Sequence, residues 1–139
     1  MRTVPRSRRN LQVNRESLSL SLEEAGIRYR HAPGLGGLRH PREDSPNTAW
    51  HNASFRGFAD YMQTEKFEES LQAMIQQAQG EKAALMCAEA VPWRCHRSLI
   101  ADAMTVRGIM VEHIMSRAHR KSRTLTERAR VDGIKIKYP

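Results

Sequence analysis

Residues 83–89, Ala-Ala-Leu-Met-Cys-Ala-Glu, and residues 95–100, Cys-His-Arg-Ser-Leu-Ile, decide how this chain is read. Ala83, Ala84, Leu85 and Met86 form an apolar run of buried-strand length. After Cys95, the residues Leu99, Ile100, Ala103 and Val106 fall on one helical stripe that stops at Gly108, a residue suited to the left-handed end of a helix. Residues 109–114 then read as a second strand. A strand-helix-strand unit implies parallel pairing through a right-handed crossover. The expected fold is therefore α/β, a small, mainly parallel sheet with helices on both faces.

Function in open parallel sheets collects beyond the carboxyl ends of the strands. Cys87 and Glu89 end the first strand and Glu112 and His113 end the next, so both groups approach the Cys95 turn. A turn that opens a helix presents free N–H groups and the positive end of the helix dipole, which favour an anion or a thiolate. In this reading Cys95 is the candidate nucleophile or anion contact, Glu89 the acid/base, His96 a proton carrier and Arg97 an anion clamp. Cys87 and His113 are secondary members. Each also has a plainer reading: Cys95 can begin the buried face of its helix, and Cys87, closing an apolar run, can be core. Glu89 can be a solvated carboxylate and His113 a packed strand histidine. His96 and Arg97 together at a positive helix end are unfavourable unless something negative offsets them. That mismatch points to a bound anion or to an ion pair with Glu89.

Cys87, Cys95 and His113, with Glu89, would be enough ligands for a metal, but seven residues between the cysteines is not the spacing of structural zinc. No metal or cofactor is expected. The phosphate-loop pattern is absent, and Gly34-Leu35-Gly36-Gly37 does not open a helix as a dinucleotide fingerprint would.

The remaining helices follow from periodicity. Asn14 is a candidate N-cap for a helix carrying Leu18, Leu22 and Ala25 and ending at Gly26. Ile27 and Tyr29 suggest a short strand, and residues 33–47 a long loop. Phe55, Phe58 and Met62 mark a second helix, and Phe67, Leu71, Met74, Ile75 and Ala78 a third that closes at Gly80. Ile134, Ile136 and Tyr138 alternate with lysines as a last, edge strand.

With 139 residues the chain has the size of a single domain spanning 1–139. Its 23 Lys and Arg against 15 Asp and Glu give a formal charge of +8, clustered in residues 2–9, 28–42 and 117–130. This balance favours a polyanionic partner, a nucleic acid or a phosphorylated ligand held through its phosphates. No stretch of membrane-spanning length and apolarity and no charged-then-apolar leader is visible, so no membrane role and a cytoplasmic location are expected. Two cysteines in one short segment fit reduced thiols rather than a disulfide framework. Three function classes remain: an enzyme acting on a nucleic acid, nucleotide or other phosphorylated substrate through the Cys-His-Arg turn, a non-catalytic nucleic-acid-binding module, and a thiol redox or metal-binding protein.

Several ordered motifs together resemble a known family. Cys87-x-Glu89-x5-Cys95-His96-Arg97-Ser98, Leu-Gly-Gly-Leu-Arg at 35–39, Phe-Arg-Gly-Phe-Ala-Asp-Tyr-Met at 55–62, Pro-Arg-Ser-Arg at 5–8 and Ala-Arg-Val-Asp-Gly at 129–133 are similar to the family called domain of unknown function 488. The resemblance implies an α/β fold and marks Arg2, Ser7, Arg8, Gly36, Gly37, Tyr61, Glu89, Cys95, His96 and Arg97 as signature positions. Arg2, Ser7 and Arg8 would then join Arg97 at an anion site, with Tyr61 nearby. Family members look as though they begin with a strand, a helix and a second strand, whereas this chain opens at Met1-Arg2-Thr3-Val4-Pro5. An N-terminal strand-helix-strand portion is thus expected to be missing, with a partner chain or a homo-oligomer covering the exposed sheet edge.

Overall fold

The computed structural model describes residues 15–89 and 91–139. Asn14, Arg2, Ser7 and Arg8, and the readings placed on them, lie outside the described residues. Four α-helices are present: α1 (Arg15–Glu24), α2 (Ala53–Tyr61), α3 (Glu65–Ala78) and α4 (Arg97–Thr105). Single 3-10 turns occur at Pro33–Leu35 and Pro92–Arg94. Four short strands follow α4: β1 (Glu112–Ser116), β2 (His119–Ser122), β3 (Arg130–Asp132) and β4 (Lys135–Lys137).

The helices form where the sequence periodicity places them, with ends set by side-chain chemistry. Asn52 opens α2 by accepting hydrogen bonds from the backbone N–H groups of Ser54 and Phe55 at 2.9 and 3.2 Å. Thr64 opens α3 by accepting from the Phe67 N–H, and Glu65 and Glu68 add favourable charge in the first turn. Gly108 follows α4 with φ of +76°, as its position past the helix end requires.

The sheet differs from expectation. Instead of a mainly parallel sheet with helices on both faces, the described residues hold two separate antiparallel ribbons, β1 with β2 and β3 with β4. Residues 82–87 carry no strand assignment, and the short strand expected at Ile27 and Tyr29 is likewise not formed. Residues 109–114 fail to become a crossover strand because Arg117 and Ala118 turn the chain straight back, pairing Glu112 with Ser122 and His113 with Lys121. The last strand forms as expected, and β4 buries Ile136 between two exposed lysines.

One core joins α2, α3, α4 and the C-terminal strand through Phe58, Phe67, Leu71, Leu99, Ile100 and Ile136. Full burial of each such side chain stabilises the fold by roughly 1.5–3 kcal/mol. Two buried carboxylates fix the loops around that core. Asp60, on α2, accepts from the Arg42 backbone N–H, the Ser45 hydroxyl and the Asn47 amide at 2.8, 2.6 and 2.7 Å. Asn47 in turn accepts from the Tyr138 N–H at 2.9 Å. Asp102, on α4 and fully buried, pairs with Arg123 and accepts from the Thr126 and Tyr138 hydroxyls at 2.6 and 2.9 Å. The C-terminal third is thereby tied to α4 by charge rather than by a shared sheet.

Candidate functional site

Cys95 stands in extended backbone immediately before α4 and is buried. Its sulfur accepts from the Arg97 backbone N–H at 3.5 Å and from Arg97 Nε at 3.2 Å, while the N-cap residue itself, His96, makes no side-chain capping bond. Arg97 Nη2 also donates to the backbone carbonyl of Glu89. The guanidinium at the positive helix end is therefore held by a sulfur and a carbonyl. The ion pair with the Glu89 carboxylate is not formed, and that side chain lies on an exposed residue.

His96 faces the other side of the same sulfur. Its Nε2 lies 3.0 Å from the carbonyl oxygen of Leu35, an acceptor only, so Nε2 carries the proton and Nδ1 turns its lone pair toward Cys95 Sγ at 3.7 Å. The ring packs edge-on against Phe58, with centroids 5.0 Å apart. Burial holds its pKa down at about 4, so at neutral pH the imidazole is uncharged. Gly37 allows this approach: a Cβ there would lie 2.4 Å from His96 Nδ1. The Leu-Gly-Gly-Leu-Arg and Cys-His-Arg motifs, about sixty residues apart, thus meet at one imidazole.

Cys87 is half-buried, and its titration is linked to that of Cys95. Two thiols so linked titrate as a unit. The neighbouring Cys95 thiol holds the Cys87 thiol below the usual thiol range despite its burial. The same neighbour, together with burial, pushes Cys95 up. Ionisation of one thiol of the pair therefore opposes ionisation of the other. Glu89 contributes its backbone carbonyl, which accepts from Arg97.

The other expected members divide. His113, on β1, has its pKa lowered by partial burial and by the charges of Arg123 and Arg97. Its Nε2 is buried and lacks a hydrogen-bond partner among the described residues. Glu112 lies instead on the exposed face of β1 and pairs with Arg120 at 3.6 Å. Tyr61 donates to the Gly34 carbonyl at 2.7 Å and lies under the Arg39 guanidinium, 3.7 Å from its ring centroid. It supports the 33–39 loop that holds His96. Gly36 contributes its carbonyl to Arg39 in the same loop. Among the described residues no group of three His, Cys, Asp or Glu side chains stands together as a metal site. The Arg97 contact to the Cys95 sulfur and the Leu35 carbonyl are site features that sequence spacing did not reveal. A glycine pair in a loop was the one available signal for the latter, since adjacent glycines permit close packing.

The turn before α4 thus brings a buried thiol, a second, half-buried thiol and an uncharged imidazole to one place. The family model described as domain of unknown function DUF488 matches residues 1–104, and the chain belongs to that family. The match contains the whole Cys87 to Arg97 turn and ends within α4. No curated protein and no solved structure matches the chain. No helix of the described residues is long and apolar enough to cross a membrane.

Proposed function

We propose that the protein carries out thiol-disulfide chemistry, with Cys87 as the attacking thiolate and Cys95 as its proton donor and resolving thiol. The observation that carries this reading is Arg97 donating twice to the Cys95 sulfur, beside a second thiol, Cys87, whose titration is linked to it. Those donors stabilise negative charge at the second sulfur when its turn comes to attack. Cys87 attacks a substrate disulfide, forming a mixed disulfide and expelling one thiolate, which takes up the Cys95 proton. The Cys95 thiolate then attacks Cys87, closing an intramolecular disulfide and releasing the second substrate thiolate, which takes a proton from water. Two protein thiols are oxidised and one substrate disulfide is reduced to two thiols.

A phosphorylated substrate is less well served at this turn, because Arg97 is already engaged by Cys95 and Glu89. His96, uncharged and held by Leu35, acts as a fixed wall and acceptor beside Cys95 rather than as a carrier of positive charge. Oxidised glutathione followed by intact-mass and peptide analysis tests the assignment. The wild type should lose two hydrogens in forming an internal disulfide, and Cys95→Ser should trap a glutathione adduct on Cys87. A wild type that stays reduced, or an adduct that settles on Cys95 while Cys87 is present, overturns it.

A further inference from the structure

The chain's positive charge is concentrated where the family match ends. Residues 112–137 contain eight Lys and Arg against three Asp and Glu, an excess of five in a protein whose whole formal charge is +8. Seven of those eight cations are exposed. The exception, Arg123, is spent on Asp102 and Thr126, and its backbone N–H donates to the Val111 carbonyl at 2.9 Å. That residue anchors the base of the β1–β2 ribbon to α4. The far end carries Arg117 in the turn and Arg120 and Lys121 on β2, a strand exposed along its whole length. Of these three, among the described residues only Arg120 has an acidic partner, the exposed Glu112.

From this geometry we infer that the β1–β2 ribbon is a docking arm for double-stranded DNA, held through the phosphate backbone and independent of the thiol chemistry. A five-residue strand is about 17 Å long, and a two-stranded ribbon of this kind fits the major groove of B-form DNA. The narrow, deep major groove of A-form RNA does not admit it. Residues 112–137 contain no Phe, Tyr or Trp, so the arm lacks the stacking platforms that single strands require and the aromatic anchors typical of membrane-surface segments. Charge on a rigid base, with an exposed tip, is the form that phosphate recognition needs.

Fluorescence anisotropy with a labelled mixed-sequence DNA duplex tests this directly, using the full chain, a triple variant Arg117→Ala, Arg120→Ala, Lys121→Ala and a control Lys66→Ala, Lys82→Ala. The wild type should bind with an affinity that falls steeply with salt. The triple variant should bind at least roughly tenfold more weakly at low salt, with the magnitude of its log-log salt slope reduced by about 2.7 for three lost phosphate contacts. The control should stay within about twofold. Circular dichroism should show all three proteins equally folded, since the altered residues are exposed. Equal binding by the triple variant, tighter binding to single strands or duplex RNA than to duplex DNA, or binding only to anionic phospholipid vesicles would each overturn the inference.

Discussion

Gly37→Ala places one methyl group against the imidazole on which the site is built. Its Cβ would stand 2.4, 2.8 and 2.9 Å from His96 Nδ1, Cγ and Cε1, all closer than a carbon contact permits. The ring has little freedom to withdraw. Its Nε2 is bonded to Leu35 on one side at 3.0 Å, and its ring packs edge-on with Phe58 on another. Overpacking of this kind costs roughly 1–3 kcal/mol, and breaking the His96 to Leu35 hydrogen bond adds about 1 kcal/mol. The expected loss is therefore about 2–4 kcal/mol. At about 3–5 °C per kcal/mol for a chain of this size, the melting temperature should fall by roughly 6–20 °C. Urea unfolding and thermal melts followed by circular dichroism measure it, with Leu38→Ala, at an exposed neighbour, as the control. A Gly37→Ala protein within about 2 °C of wild type would refute the claim that this loop is locked against His96.

Asp102→Ala should destabilise by about 3–5 kcal/mol in urea, because it strands the Arg123 guanidinium and leaves the Thr126 and Tyr138 hydroxyls without their acceptor; a loss under about 1 kcal/mol would contradict the network. Stability should also fall as pH drops from about 6.5 toward 4. Unfolding frees His96 to bind a proton that the folded chain, with its pKa near 4, does not take up in that window. The full effect is of the order of 3 kcal/mol, and His96→Gln should flatten it. A wild type whose urea midpoint is unchanged over that range would count against a buried neutral imidazole.

The helices were legible because each buries a stripe at helical spacing, as Phe58 and Phe67 show. The sheet was not. Residues 83–87 have the apolarity of a buried strand, but periodicity cannot tell whether an extended segment finds a neighbour to pair with. The β1–β2 return at Arg117-Ala118 lacks the Asn-Gly or Gly-containing signature of two-residue hairpins, so nothing in the residues announced it. The site was legible in its membership and not in its wiring. Cys87, Cys95, His96 and Arg97 do converge with the Glu89 backbone. That Arg97 reaches the Cys95 sulfur and the Glu89 carbonyl, rather than a bound anion or the Glu89 carboxylate, depends on three-dimensional contacts that an eight-residue separation leaves open.

The charge on the thiol pair is the central claim, and thiolate absorbance in the ultraviolet measures it across pH in wild type, Cys87→Ser and Cys95→Ser. The wild type should develop one thiolate per chain well below the ordinary thiol midpoint of about 8.5, and a second only under strongly alkaline conditions. In Cys95→Ser the remaining thiol should move up toward the ordinary range, and Cys87→Ser should show no thiolate in the acidic window. Two thiols ionising together near the ordinary midpoint in the wild type would contradict the account.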